Sequence, residues 1–494
     1  MNPIIFFIPF VVAIIYALLA KNSRVVRLSS MIFSLIGGIA VFSYAIRGFL
    51  SDAGTWSDGW WLLDGFSALM VMLIAFLYMS AVAVSYRYIM HEYEEKMITL
   101  NDLKMYFALL HLFALCMIVT VLANNVLLLW ITLEGTTLSS TFLVGLYRRK
   151  TSIEAAWKYM IICSTGITLG LIGILLMSHG AHVGGVLNSN IFTLSVLMEN
   201  ASLINLEIVR WAFVFIFVGF GAKVGLVPMH TWLPDAHSKA PSPISAIFSG
   251  ILLNVALYAI IRFKFVTDAA LGDSAWTGNL FLIFGLLSVI LPAFMMLVQK
   301  NYKRMLAYSS VEHMGLIVFA LALYPLGALA AVMHMIGHAL VKSLLFFGAG
   351  EILINWKTTN IEKVKELMKH APYTGTLFLL GILSIIAIPP SALFISEYTM
   401  FANAISVYPK ISIVLFVALA IIAYAMLKLT VTMLFSKAGG DKDEIISKRE
   451  TWNITHTVMT LQLVLMVAVS FWFTTDAGVK NINSIVEDAI FISK

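Results

Sequence analysis

Residues Trp211–Pro243 read WAFVFIFVGFGAKVGLVPMHTWLPDAHSKAPSP, and the reading of this stretch decides the fold. It starts as an apolar run of the kind that crosses a bilayer and then admits a lysine, Lys223. Five residues later Pro228 interrupts the helix, and a polar segment from His230 to His237 follows. A cation at membrane depth costs roughly 2.5–3.5 kcal/mol on insertion scales, so it belongs in a bundle interior or beside a water path. A helix broken next to it frees backbone groups that lipid cannot satisfy, so the break must be lined by protein or water. A buried charge beside a discontinuous helix is how transporters build ion sites.

Working outward, 60% of the 494 residues are hydrophobic and 12% are charged, against roughly a quarter charged in soluble domains. The chain therefore reads as an all-α polytopic membrane protein, one continuous bundle in a lipid bilayer. Its net charge of +6 is accounted for by basic cytoplasmic loops, and no nucleic-acid partner is expected. Cys116 and Cys163 both sit in apolar runs, so neither a disulfide framework nor a metal cluster is expected. Met1–Ala20 is apolar and is followed, not preceded, by Lys21, Arg24 and Arg27, which fits a retained first helix better than a cleaved signal.

At ~20 apolar residues per crossing, about fourteen spans are expected. They fall near 3–20, 26–47, 64–87, 104–123, 125–147, 155–179, 207–228, 242–264, 276–298, 303–323, 325–354, 374–405, 411–436 and 452–474. Of the 32 Lys and Arg residues, 22 then lie in odd-numbered loops and 7 in even-numbered loops and the tail, with Lys223, Lys342 and Lys428 inside spans. By the positive-inside rule the chain is a multi-pass protein of the inner (cytoplasmic) membrane with both termini on the non-cytoplasmic side. The mixed-charge connection 355–372 fits either a short amphipathic helix on the cytoplasmic surface or a plain solvated loop.

The seventh span is broken at Pro228 and the twelfth at Pro389-Pro390, within GILSIIAIPPSALFISEYTMF (Gly381–Phe401). Paired interrupted spans point to repeats around a midplane site. Five spans separate them, and an odd number inverts the topology. The expected division is helices 1–3 (1–103), a first five-helix repeat (104–264), a second, inverted repeat (276–436), and helix 14 with the tail (437–494).

Charges inside these spans are the candidate relay. Glu134, mid-span in NNVLLLWITLEGTTLSSTFLVGLY, has no basic neighbour in sequence, so it must pair across helices or sit protonated; Lys223 is the natural partner. Lysine is also the cation that burial neutralises most readily, so separating such a pair would release a proton. His334, His338 and Lys342 fall at i, i+4 and i+8 on one helix face, a pattern suited to proton transfer. Their plain alternative is histidines hydrogen-bonded within the bundle. A zinc site needs a further ligand that the sequence does not offer, and no facing histidine pair suggests haem, so neither metal nor cofactor is expected. Glu397, beside the double proline, is either a terminal carboxylate of the relay or a stabiliser of the break. Glu312, His313 and Lys428 are possible relay or interface groups, and His230 and His237 possible cytoplasmic intake groups.

FGAKVGLVPMHTWLPDAHSKAPSPISAIFSGILLNVALYAIIRF (Phe220–Phe263), LAYSSVEHMGLI (Leu306–Ile317), HMIGHALVKSLLFFGAGEI (His334–Ile352) and PPSALFISEY (Pro389–Tyr398) together resemble the antiporter-like subunits of respiratory complex I, group 4 membrane-bound hydrogenases and Mrp antiporters. VEHMG and LLNVALY resemble the hydrogenase-4 component F and formate hydrogenlyase branch in particular. The resemblance implies a fourteen-helix fold with two inverted five-helix units and a polar axis at the midplane. The family's fifth-span glutamate matches Glu134, its broken-helix lysine Lys223, its eleventh-span histidine and lysine His338 and Lys342, and its twelfth-span charge Glu397. One departure is Asn254, where many relatives carry a lysine or histidine; water or a neighbouring histidine must bridge there.

The function expected is a proton- or sodium-translocating membrane subunit of a redox-driven complex, beside other membrane subunits and, indirectly, soluble subunits with iron-sulfur clusters. The chain itself carries no redox motif. The alternatives are an Mrp-like sodium/proton antiporter subunit, or the energy-coupling membrane subunit of an inorganic-carbon uptake system.

Overall fold

The computed structural model of the chain describes residues 3–50, 56–186, 190–437 and 450–490. Lys442, Lys448, Arg449 and Lys494 of the charge tally lie outside them. The apolar runs become helices because a segment in lipid must satisfy its backbone internally, and short polar residues mark where many begin. After α1 (Ile4–Leu19) and α2 (Ser23–Leu50), a two-rung hairpin pairs β1 (Trp56–Ser57) with β2 (Leu62–Leu63). Asp64 and Thr99 form capping boxes for α3 (Gly65–Glu94) and α4 (Leu100–Leu122). Asn125 caps α5 (Val126–Val144), and α6 (Lys150–Val183) and the short α7 (Leu194–Glu199) follow. Asn205 caps α8 (Leu206–Val224), the first half of the broken span, and α9 (Trp232–Lys239) is its second.

Next, α10 (Ser242–Ile247) runs through a π-helical turn at 248–252 into α11 (Leu253–Leu271). Then come α12 (Ala275–Leu297), α13 (Tyr302–Ala322, capped by Asn301) and α14 (Ala328–Trp356). The connection that was open between amphipathic helix and loop holds a 3-10 turn at 361–363 and one helical turn, α15 (Leu367–His370). The other broken span is α16 (Pro372–Ile385) plus α17 (Ala392–Val407); α18 (Pro409–Phe435) and α19 (Ile454–Phe473) follow. An unanticipated amphipathic helix, α20 (Asp476–Ile490), lies against α3, α11 and α14.

Among the described residues twelve helical segments are long and apolar enough to cross a membrane, not fourteen. The expected first span, α1, has 16 residues, and the twelfth is divided into 14 and 16. At 1.5 Å per residue a 16-residue helix rises ~24 Å, short of a hydrocarbon core of ~30 Å.

The loops sort by end as their charges predict. Lys158 and Arg304 both reach Asp235 at 3.2 Å, and Lys357 approaches Glu95 at 3.7 Å, which gathers odd-numbered loops at one end of the bundle. At the other end Asn124 donates to Asp58 O at 2.5 Å and accepts from Ser195 N at 3.1 Å, joining even-numbered loops. Three of the charges counted as loop residues are instead buried: Arg262, Lys264 and Lys303.

Candidate functional site

The position of Lys223 is set by close helix packing. On α6, Gly166 and Gly170 face Gly219 of α8; a Cβ at Gly219 would stand 2.5 Å from Gly166 O. This small-residue seam lets the backbones approach as in other membrane helix pairs, and it holds Tyr159 of α6 against Lys223 of α8. The helix then stops because Gly225 adopts φ +80°, with Gly225 N and Leu226 N each bonding Gly221 O at 3.0 Å. A Cβ there would also strike the Leu233 side chain, 2.5 Å away. The groups freed by the break are satisfied by protein: Trp232 Nε1 donates to Ala222 O at 2.8 Å, and Val227 N to Ser288 Oγ at 2.9 Å. The second break is closed in the same way, by a left-handed Ala387 (φ +56°) and a bond from Ile388 N to Leu383 O at 3.0 Å. Ser391 Oγ then donates to Ser384 O at 2.8 Å.

Lys223 is fully buried. Its Nζ donates to Tyr159 OH at 2.6 Å and to Thr137 Oγ1 at 2.9 Å, and Tyr159 OH bonds Ser140 Oγ at 2.8 Å. The expected ion pair with Glu134 is not formed. Glu134 is half-buried and accepts from Ser164 Oγ at 2.6 Å, and its Oε2 has no hydrogen-bond partner among the described residues. Sequence spacing could not show that two hydroxyls stand where a carboxylate was anticipated.

Beyond Lys223 stands an aromatic junction. The Phe248 ring, on the π-helical turn, lies 5.7 Å from the Tyr159 ring and 5.7 Å from the His237 ring. His237 is fully buried, stacked 5.2 Å from Phe346, and both its ring nitrogens lack partners among the described residues. The charges of Lys303 and Lys342 both act on it. His230 is buried on its 3-10 turn with Nδ1 unpartnered. Asn254 is held by Gly250 O and Met335 O through Nδ2, at 3.1 and 3.4 Å, and its Oδ1 is unpartnered.

Beyond the junction α13, α14 and α17 bring the remaining candidates together. Lys342 Nζ donates to Leu306 O at 2.9 Å. The His338 ring sits 5.4 Å from that of His313, and both its nitrogens are unpartnered. His313 Nδ1 bonds His334 Nε2 at 2.9 Å, and His334 Nδ1 bonds Ser396 Oγ at 3.0 Å, beside Glu397. Glu312 Oε2 lies 3.3 Å from His313 Nε2. Ligand atoms of His313, His334 and Glu397 all fall within 4.8 Å of one another, so the ligands missing from sequence are supplied by the fold. The 2.9 Å contact is a hydrogen-bond distance, though, shorter than the roughly 3.3 Å kept by two nitrogens bound at 2.0–2.1 Å to one tetrahedral zinc. The cluster is a hydrogen-bonded chain as it stands. Lys428 points outward, its Nζ 5.7 Å over the Tyr424 ring, away from this cluster.

Several buried polar groups escaped sequence reading. Glu92 accepts from Tyr147 OH at 2.5 Å; Arg262 and Asp64 form an enclosed ion pair at 2.6 Å; His111 Nδ1 bonds Tyr78 OH at 2.6 Å. Glu92 lies at the end of a helix of 30 residues, longer than one crossing needs, and Arg262 reads as a loop charge although it lies within α11.

Against known proteins, the family model described as NADH:quinone oxidoreductase/Mrp antiporter, TM, matches residues 123–423. The chain belongs to this family. The hydrogenase-4 component F homolog of Methylacidiphilum infernorum is 36% identical over 389 residues, covering 78% of this chain and 81% of that protein. The membrane-bound sulfane sulfur reductase, an archaeal respiratory membrane complex, contains a chain of the same fold (TM-score 0.85, 23% identity, 99% of this chain and 97% of that one). So does the Mrp complex from Dietzia sp. DQ12-45-1b (TM-score 0.79, 18% identity, 98% and 99%). Within this NADH:quinone oxidoreductase/Mrp antiporter family the chain is an antiporter-like membrane subunit, and Glu134, Lys223, His338, Lys342 and Glu397 all fall inside the matched segment.

Proposed function

We propose that this chain is the ion-translocating membrane subunit of a redox-driven complex of the hydrogenase-4 type, moving ions along Glu134, Lys223, His237, Lys342, His338, His313, His334 and Glu397. One observation carries the reading: these groups follow one another through the interior of a membrane bundle, hydrogen-bonded around Lys223 and again from His313 to Ser396, where ionisable residues are rare and costly unless they serve a path. His237 is the group that would bridge the gap at Asn254: its ring shares the Phe248 junction with Tyr159, which holds Lys223.

The energetics are adequate. Moving one charge through 100 mV takes about 2.3 kcal/mol, and a hydrogen bond to a charged group contributes about 1.5–3 kcal/mol. Making or breaking the two hydroxyl bonds to Lys223 is therefore an effect of the right size. In this reading 104–264 and 276–436 are inverted repeats, each with its own broken span, and the end where the basic loops gather faces the cytoplasm across the inner membrane. Neighbouring membrane subunits flank the chain, and soluble subunits carrying iron-sulfur clusters perform the electron chemistry.

The test is Lys223→Ala in the native complex, with ions moved per electron as readout. A drop of roughly tenfold or more is expected, equivalent to some 1.4 kcal/mol or more. Unchanged pumping from a normally assembled complex sinks the reading in favour of a scaffold. Sodium/proton exchange with no electron donor points instead to the Mrp-like alternative, and co-purification with a carbonic-anhydrase-like protein to carbon uptake.

A further inference from the structure

A cavity of about 500 Å³ opens at the end of the bundle where the odd-numbered loops meet; its walls come from the loops around Glu95, Arg149, Lys239 and Lys357. Its lining also holds two buried groups absent from the line above, Glu92 and Lys303, only 4% and 1% exposed. Glu92 Oε1 accepts from Tyr147 OH, and the Tyr88 hydroxyl, also on the cavity wall, lies against the same carboxylate. Lys303 Nζ donates to Ala240 O at 2.7 Å, three residues beyond His237, and the charges of Glu92 and Lys303 act on each other. A buried carboxylate on the cavity wall, a lysine on the same wall and a histidine three residues before that lysine's carbonyl partner thus lead from an open cavity towards the middle of the line.

We infer that this cavity is the intake of the pathway for protons, with Glu92 and Lys303 as its gate. The inference rests on the ion-translocation reading and names its ion. Four cations (Arg149, Lys239, Lys303, Lys357) face the cavity against two carboxylates (Glu92, Glu95), one of them already beside Lys357. A rim of that sign disfavours a hydrated sodium ion, which must enter carrying its charge past the Lys and Arg groups. A proton instead passes by exchange between cavity water and the titratable groups themselves. It binds an oxygen of the Glu92 carboxylate from cavity water and leaves the resulting acid for the amine form of Lys303 Nζ. From the ammonium so formed it moves to a nitrogen of neutral His237, restoring the amine; charge and protons balance at every step.

The experiment uses membrane vesicles holding the native complex, energised by its own electron donor, with pyranine reporting protons and ²²Na⁺ reporting sodium. Glu92→Gln and Lys303→Met are each expected to lower proton movement per electron at least tenfold, with ²²Na⁺ uptake at background throughout. If both variants move protons like the unmodified complex while Lys223→Ala does not, the intake assignment is overturned and the ion-relay reading stands. If Lys223→Ala also moves protons normally, the reading beneath it fails. Sodium uptake by the unmodified complex overturns the choice of proton. Should Glu92→Gln fail to assemble, Tyr147→Phe decides: it keeps the carboxylate but removes its hydrogen bond, and unchanged proton movement then overturns the gate.

Discussion

Lys223 is held by two hydroxyls and no carboxylate, and this decides which neighbouring substitution matters most. Tyr159→Phe removes one bond to a buried ammonium, worth about 1.5–3 kcal/mol, and keeps the ring packed against Trp232. We expect ion movement per electron to fall roughly tenfold, on the scale of 1.4 kcal/mol per factor of ten, while the melting temperature in detergent barely changes. A melting loss as large as the transport loss would make Tyr159 merely structural. Glu450 offers a separate check outside the spans. Burial by itself would raise its carboxyl, but hydrogen bonds from His456 and Thr374 outweigh that and hold it below the ordinary carboxylate value, while Tyr373 N also donates to it at 2.7 Å. A lowered folded value means that its stabilisation is present above the unfolded value and is lost as pH falls through the folded one. Glu450→Gln should therefore destabilise the joint between α16 and α19 by about 1–3 kcal/mol at neutral pH. The gap from the unmodified protein should close below about pH 4, the region where unperturbed carboxylates titrate. A gap constant from pH 7 to 3 contradicts the assignment.

At the scale of elements, the broken spans and the glycine seam aim the site. Gly219→Leu places a side chain where Gly166 O and Gly170 already stand within 2.5–3.0 Å of a Cβ. The helices must part, at a cost of about 1–3 kcal/mol as for other overpacked cores, and Tyr159 leaves Lys223. Lower assembly and lost ion movement should appear together; a variant that transports normally shows that the seam does not position the lysine. The two breaks differ in one respect. The first uses glycine for its left-handed residue, the second uses Ala387 at φ +56°, a conformation costing an L-residue roughly 1–2 kcal/mol. Ala387→Gly should relieve part of that cost, raising thermal stability or leaving it level, and a clear loss in thermal unfolding argues against the backbone assignment. Sequence alone revealed both breaks, because proline inside an apolar run has few readings. It could not reveal that Ser288 and Trp232 satisfy the first: Ser288 comes from 61 residues away, and the Trp232 ring reaches back to Ala222 only through the fold of the break itself.

For the whole molecule, what was legible followed from rules acting along the chain, and what was hidden depended on contacts across it. Apolar runs gave the helices and intramembrane charges gave Lys223, His338, Lys342 and Glu397, because lipid penalises each of them locally. Glu92 and Arg262 stayed hidden because the 30-residue helical segments that carry them overshoot the crossing length, and Lys303 because it stands in the first turn of α13; each looks like a loop charge and is folded inside. The His313–His334–Ser396 chain was likewise invisible, being drawn from three helices. The loop charges join both scales: their alternation was read from sequence, and the structure gathers Lys158, Asp235 and Arg304 at one end and Asn124, Asp58 and Ser195 at the other. An excess of Lys and Arg on short loops marks the cytoplasmic side, so single cysteines introduced at Lys363 and Glu95 should react with a membrane-impermeant maleimide only in inside-out vesicles. Cysteines at Asp273 and Lys410 should react only in right-side-out vesicles. The native thiols give little background, because Cys163 is buried and Cys116 half-buried within helices. Labelling of all four positions from one side breaks the two-ended arrangement itself. Clean labelling with the two sides exchanged leaves the fold intact and inverts the complex in its membrane, which would move the cavity at Glu92 and Lys303 to the outer face and make it the outlet.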